Sequence, residues 1–362
     1  VGVTLTIEPG ANLFFSAGAR LTVLGRLDAR GLPDCRIQFT VFPGSGATWD
    51  GVVFTNTLQD NRMVELDQVF STAASHSVEL NNARLLLQKV IWRGTSETIL
   101  EVSGPQLNVI NCDFPPTNGN EAVHGASLSG SDYFNLIGNV FQTSSGYNDI
   151  IDFSGGRRPG PIIYLIGNRF LGGSDDVLDL DGIDAHIEGN LFMNIHTDDP
   201  NRPSTSNAIA TDGDAHLTIV RNIFDDVDHA LLLKNESDAI FENNVVRNAS
   251  LGAISFREIL RPTVAAGSDV TCRGNIFIGN FKTFADPDHL RSGGGTPVIT
   301  ANNNIMPIAD HIYGTGNIDL DPAFVNPDGG DYSLLSGSPA IGTGINGVDM
   351  GAMIPQGAMV SG

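Results

Sequence analysis

The segments VINCDF (109–114), LIGNVF (136–141), LIGNRF (165–170), IEGNLF (187–192), IVRNIF (219–224), ENNVV (242–246), CRGNIF (272–277) and ANNNI (301–305) share one pattern. Each is an apolar strand, then an asparagine, then a second apolar stretch. The asparagines are Asn111, Asn139, Asn168, Asn190, Asn222, Asn244, Asn275 and Asn303, at intervals of 28, 29, 22, 32, 22, 31 and 28 residues. A unit of 22 residues with insertions of up to ten therefore recurs through the middle of the chain, and a fixed period of this size marks a stacked repeat. Three short strands with period-2 alternation fit into each unit, which predicts an all-β solenoid, a right-handed parallel β-helix. The asparagines have a physical reason to recur: an amide can bond the same side chain one rung above and below, and asparagine tolerates a left-handed corner between strands. Glycine and asparagine interrupt every window long enough for an amphipathic helix, and the leucine spacing of a leucine-rich repeat is absent.

The units on either side extend this reading. TLTIEPGANLFFSAGARLTVLGRLDARG (4–31) reads as short strands and turns, the opening rungs that cap such a solenoid. The C-terminal stretch, including NIDLDPAFVNPDGGDYSLLSGSPA (317–340), drops the repeat and is rich in Pro, Gly and Asp. We therefore expect a β-helix over 1–304 and an irregular tail over 305–362 that packs on the last rungs as a cap.

Composition agrees with many short strands and tight turns. Of 362 residues, 41% are hydrophobic and 17% charged; Gly numbers 42 and Phe 19, against two Trp and five Tyr. The formal charge of −21 comes with no basic run, which excludes a nucleic-acid partner and any attraction to an anionic membrane. No apolar stretch is long enough to insert into a bilayer. Cys35, Cys112 and Cys272 are widely spaced, so neither a zinc site nor a disulfide framework is expected, and Cys112 and Cys272 read as buried small hydrophobes. The chain opens on VGVTLTIEPG, already inside a strand pattern, as a mature or trimmed chain of a secreted or cell-surface protein does.

Chemistry concentrates on one side. DIIDFSG (149–155), DVLDLDG (176–182), NAIATDG (207–213), HALLLKN (229–235) and GAISFRE (252–258) align on their strands. Their third and fifth positions point inward, so the fourth and sixth face outward. The fourth position carries Asp152, Asp179, Ala210, Leu232 and Ser255; the sixth carries Ser154, Asp181, Asp212, Lys234 and Arg257. Asp152 over Asp179 and Asp181 over Asp212 are like-charge neighbours about 4.8 Å apart, a destabilising arrangement unless neutralised. Asp149, Asp175 and Asp176 add charge at the same edge, and calcium suits such an all-oxygen cluster. Three readings of this file stay open: cross-rung pairs such as Asp212 with Lys234 on a solvated face, a calcium site that stiffens the solenoid, or a catalytic ladder. His229 reads as an edge histidine near a substrate.

Two families resemble this stretch. DDVLD (175–179), with NDIID (148–152) one rung earlier, resembles the four-aspartate calcium site of β-helix pectate lyases of the family-9 type. That resemblance implies Asp152, Asp175, Asp176 and Asp179 as Ca2+ ligands and Lys234 as the base. LLLKNESDAIFENNVVRNASLGAISFRE (231–258) resembles the chondroitinase-B and alginate-lyase type, which implies Lys234 and Arg257 as the catalytic pair. Asp149, Asp181, Asp212 and His229 would then stand around a bound acidic polysaccharide. The expected activity is calcium-assisted β-elimination from a uronate. Two alternatives are a non-catalytic extracellular module, structural or adhesive, whose acidic face binds calcium or a partner, and a glycoside hydrolase using two of the aspartates.

Overall fold

In a computed structural model, residues 2–71, 76–94, 97–199 and 206–352 are described. Within them thirty strands join into one continuous sheet, and every pairing of that sheet given in register is parallel. Each strand pairs with the one a full turn later, so the chain coils as a parallel β-helix with the right-handed crossovers that parallel connections take. The opening strands Thr4–Ile7, Asn12–Phe15 and Leu21–Val23 pair with Arg26–Arg30, Ile37–Val41 and Val52–Thr55, so the helix begins at the first described rung.

Alternation explains which side chains fill the interior. On Ile151–Ser154, Leu178–Asp181 and Ile209–Asp212 the odd positions are buried, and those of adjacent rungs stack in file. The phenylalanines form one such file: Phe114, Phe141, Phe170, Phe192 and Phe224 stack with centroids 4.3–4.9 Å apart, below Trp92 at one end and extended by Phe241 and Phe277. Cys112 and Cys272 lie in the same core, where burial raises both thiols.

The asparagine ladder is present, with two members and one detail corrected. It runs through Asn139, Asn168, Asn190, Asn222, Asn244, Asn275, Asn304 and Asn317. Each side-chain Nδ2 donates to the next Oδ1 at 2.9–3.2 Å. Asn111 and Asn303 are not in it; Cys112 occupies the rung position below Asn139, and Asn304, not Asn303, continues the file. The left-handed corner also falls one residue earlier than expected. Asn111, Gly138, Gly167, Gly189, Arg221, Asn243, Gly274 and Asn303 have φ of 51–66°; Cys112 follows the first of these corners and a ladder asparagine each of the others. Asparagine suits both positions, so an Asn-Asn pair does not declare from sequence which member turns the chain.

The tail does more than close the end. Asn317 and Ile318 add a partial rung on Asn304 and Ile305. The chain then runs back along one flank, where Tyr332, Ala340, Met350 and Ala352 cover a stripe of Leu191, Ile223, Val245, Ile276 and Ile305. Tyr332 donates to Asp225 at 2.5 Å and Gly351 N to Gly274 O at 2.7 Å. Residues 353–362 of the expected tail lie outside the described residues. No helix among the described residues is long and apolar enough to cross a membrane.

Candidate functional site

The strand register stacks the fourth positions of the five aligned segments as their sequence pattern predicts; of the sixth positions it pairs Ser154, Asp181 and Asp212, while Lys234 bridges to Ala266 and not to Arg257. Asp152 pairs with Asp179, Asp179 with Ala210, Ala210 with Leu232 and Leu232 with Ser255; Asp181 pairs with Asp212. The outward file also starts earlier than the sequence reading placed it. Glu79 pairs with Glu101, Glu101 with His124, and His124 with Asp152. The signal was present: NEAVHGA (120–126) aligns with NDIIDFS (148–154), but Gly125 replaces the inward apolar residue and breaks the alternation.

A second file lies at the corner before these strands. Asp176 N donates to Asp149 Oδ1 at 3.2 Å, Asn207 Nδ2 donates to Asp176 Oδ1 at 2.7 Å, and Asn207 bridges to His229 one rung on. The two files converge on the aspartates. Asp149, Asp175 and Asp176 each present a ligand oxygen within 4.8 Å of the others. Asp179 is beside them in the electrostatic sense: its charge acts on Asp149, and that of Asp176 acts on it. One carboxylate oxygen of Asp179, Oδ1, is buried with no hydrogen-bond partner. Three converging carboxylates, with an orphaned buried oxygen in their field, fit a hard, oxygen-seeking cation. Asp149, which the sequence reading placed outside the ligand set, belongs to this group. Asp152 stands one step away, where His124 and Asp181 are the charged groups that act on it most.

The cost of the arrangement appears in the titration of its members. Burial, then mutual repulsion, pushes Asp149, Asp176 and Asp179 well above the ordinary carboxylate range. Asp181 moves up as well, chiefly through burial. Asp212 does not meet Lys234: its Oδ1 accepts from Asn235 Nδ2 at 2.5 Å and Gly213 N at 2.6 Å.

Lys234 is only 2% exposed, although it occupies an outward position. The outward residues Ala210, Leu232 and Ser255 are equally covered, at 0%, 2% and 1%. This end of the file is therefore roofed, in part by the segment after Arg257, from which Ala266 bridges to Lys234. Burial alone depresses a lysine, yet Lys234 moves upward because Asp176, Asp179, Asp181 and Glu258 outweigh it. Glu258, a residue the sequence reading passed over, thus acts on Lys234. Arg257 projects to an exposed recess of about 310 Å³ shared with Asp286, Asp288, His289 and Leu290. The strand ends at Ser255, so alternation no longer dictates which of Arg257 and Glu258 turns inward. His229 is 3% exposed, its Nδ1 has no partner, and burial lowers it to about 4, leaving it neutral at ordinary pH.

The site therefore combines a cluster able to hold a cation, a buried lysine in the field of that cluster, and an arginine on the outer wall at the next rung. No protein-family profile matches the chain, and no curated protein does. Among solved structures it is similar to pectate lyase Pel9A, at 14% identity over 97% of this chain and 87% of that one, with a TM-score of 0.46. It is also similar to a rhamnogalacturonan lyase, at 16% identity over 90% and 81% with a TM-score of 0.34, and to the PL6 family alginate lyase AlyGC, at 13% identity over 99% and 58% with a TM-score of 0.42.

Proposed function

We propose that this protein is an extracellular polysaccharide lyase that cleaves a uronate-containing polysaccharide by β-elimination, with calcium held by Asp149, Asp175, Asp176 and Asp179. The observation that carries the reading is Lys234: a lysine 2% exposed, on a roofed outward position, in the electrostatic field of Asp176 and Asp179. A cross-rung surface ion pair does not require that burial.

In this reading Lys234, as the neutral amine it becomes once the charge of Asp176 and Asp179 is offset, takes the C5 proton of the uronate. The electron pair of that C–H bond forms the C4–C5 double bond, and the C4–O bond breaks, its electrons leaving on the glycosidic oxygen, which takes a proton from water. Arg257, exposed one rung beyond Lys234, pairs with a substrate carboxylate at the mouth. Asn207 and Ser174 brace the corner: Asn207 holds Asp176, and Ser174 O accepts from Ser206 while its Oγ accepts from Tyr147 N. When bound, a divalent cation supplies neutralisation of the aspartates that hold Lys234 protonated and a positive field on the uronate carboxylate. Asp152 is assigned to the substrate side of the cluster.

The test is the absorbance of the unsaturated product on a panel of uronate polymers, with and without calcium, for wild type and Lys234→Ala. Calcium-dependent product in wild type alone supports the lyase. Calcium-dependent melting without product from any polymer replaces it with a non-catalytic calcium-binding module.

A further inference from the structure

The outward file is asymmetric about the aspartates. Beyond Asp179 it is roofed, as Ala210, Leu232 and Ser255 show. Before Asp152 it is open: the side chains of His124 and Glu101 are 47% and 27% exposed. A polymer whose uronate lies at the aspartates and Lys234 therefore has room for its neighbouring sugars over the rungs of His124, Glu101 and Glu79.

Those rungs are acidic. The strands Val52–Thr55, His76–Asn81, Thr98–Ser103 and Val123–Ala126 contain no lysine or arginine. They present Glu79 and Glu101, with Glu121 just before the last of them and Asp152 on the next. The histidines are already engaged: His124 Nδ1 lies 2.8 Å from Glu101 Oε2, and His76 Nε2 3.5 Å from the same oxygen. Uncharged groups stand beside them: Asn81 donates to Glu79 at 2.7 Å and is in register with Thr55 and Ser103, and Asn148 donates to Glu121 at 2.9 Å. Such a surface offers hydroxyl groups good acceptors and repels carboxylates.

Resting on the lyase reading, we infer that the substrate is a heteropolysaccharide in which each reacting uronate is flanked by uncharged sugars, and that Glu79 and Glu101 exclude uninterrupted polyuronates. An unbroken polyuronate places a carboxylate against each of these rungs. A polymer of isolated uronates places hydroxyl groups there.

The experiment compares kcat/KM on uninterrupted polyuronates (polygalacturonate, polymannuronate, polyguluronate) with that on polymers alternating a uronate with a neutral sugar (rhamnose, glucose or an N-acetylhexosamine). Wild type is expected to favour an alternating polymer by about tenfold or more. Glu79→Gln with Glu101→Gln narrows the gap by about tenfold through KM on the homopolymers, as does raised salt in wild type. Glu79→Gln alone, which leaves the His124 pair in place, moves in the same direction and guards against a folding defect. Homopolymers cleaved as well as alternating polymers, or a ratio that the substitutions leave unchanged, overturn the inference while the lyase stands. No cleavage of any uronate polymer removes both.

Discussion

Asn207 reaches from its own rung to the one below and donates to Oδ1 of Asp176 across 2.7 Å, fixing one carboxylate of the cluster from outside it. Groups that orient a metal-binding carboxylate are worth about 10–100-fold in affinity. Asn207→Ala is therefore expected to weaken calcium binding by that factor while leaving the fold intact, because the strand pairing of the rung is made by backbone. Isothermal titration with calcium measures it. Unchanged affinity removes Asn207 from the site.

The aspartates also predict how stability responds to pH. Asp149, Asp176 and Asp179 start from an ordinary value of 3.8 and rise on folding to about 10, about 7 and about 8, through burial and their neighbours' charge. For a carboxyl raised on folding, the folded state binds more protons than the unfolded state between the two values. Stability of the calcium-free protein therefore falls as pH rises from near 4 towards these folded values. Calcium competes with those protons, so its stabilisation is largest at the alkaline end and fades as pH falls; at 100 times its Kd it amounts to about 2.7 kcal/mol. Asp179→Asn removes one buried charge and is expected to raise the calcium-free melting temperature at pH 8 while reducing the gain from calcium. Melting curves at pH 5 and pH 8 with and without calcium decide this, and a calcium-free protein more stable at pH 8 than at pH 5 contradicts it.

The asparagine ladder gives a prediction independent of function. Asn190 donates to Asn222 Oδ1 and Leu165 O, both at 2.9 Å, and accepts from Asn168 N at 2.8 Å and Asn168 Nδ2 at 3.0 Å, all in the buried interior. Asn190→Ala strands those partners, each an unsatisfied buried group, and is expected to cost about 2–4 kcal/mol in urea unfolding. At the Cys112 position the same file is already broken. Cys112→Asn is expected to extend the ladder by one rung and to recover part of what one such link contributes.

Much of this molecule was legible because the repeat constrains it. A period of two within strands and a recurring asparagine every 22 to 32 residues put Asp152 over Asp179 and Asp181 over Asp212 without reference to anything but alternation. What stayed hidden lies where alternation stops. Asp149 sits at a corner, where backbone geometry, not strand period, decides that its carboxylate joins those of Asp175 and Asp176. Glu258 and Arg257 follow the last paired residue of their strand, so their directions are set by the insertion that roofs the site. Asn111 reads from sequence as a ladder residue because asparagine serves both the left-handed corner and the rung position after it.

Removing the lysine should separate its role from that of the aspartates. Lys234 places a positive charge in the field of Asp176 and Asp179, so it opposes a divalent cation bound there even as it offsets their mutual repulsion. Lys234→Met keeps the buried stem and deletes the charge. Three changes are expected together. Turnover falls by about 10²–10⁴, the span assigned to a general base. The calcium-free protein loses stability, since the aspartates have lost a counter-charge. Calcium binds more tightly than to wild type, because nothing cationic now competes for the same carboxylates. Calorimetry and melting on one preparation read the last two. Weaker calcium binding in Lys234→Met places the lysine among the groups that build the cation site and rules it out as a base standing beside that site.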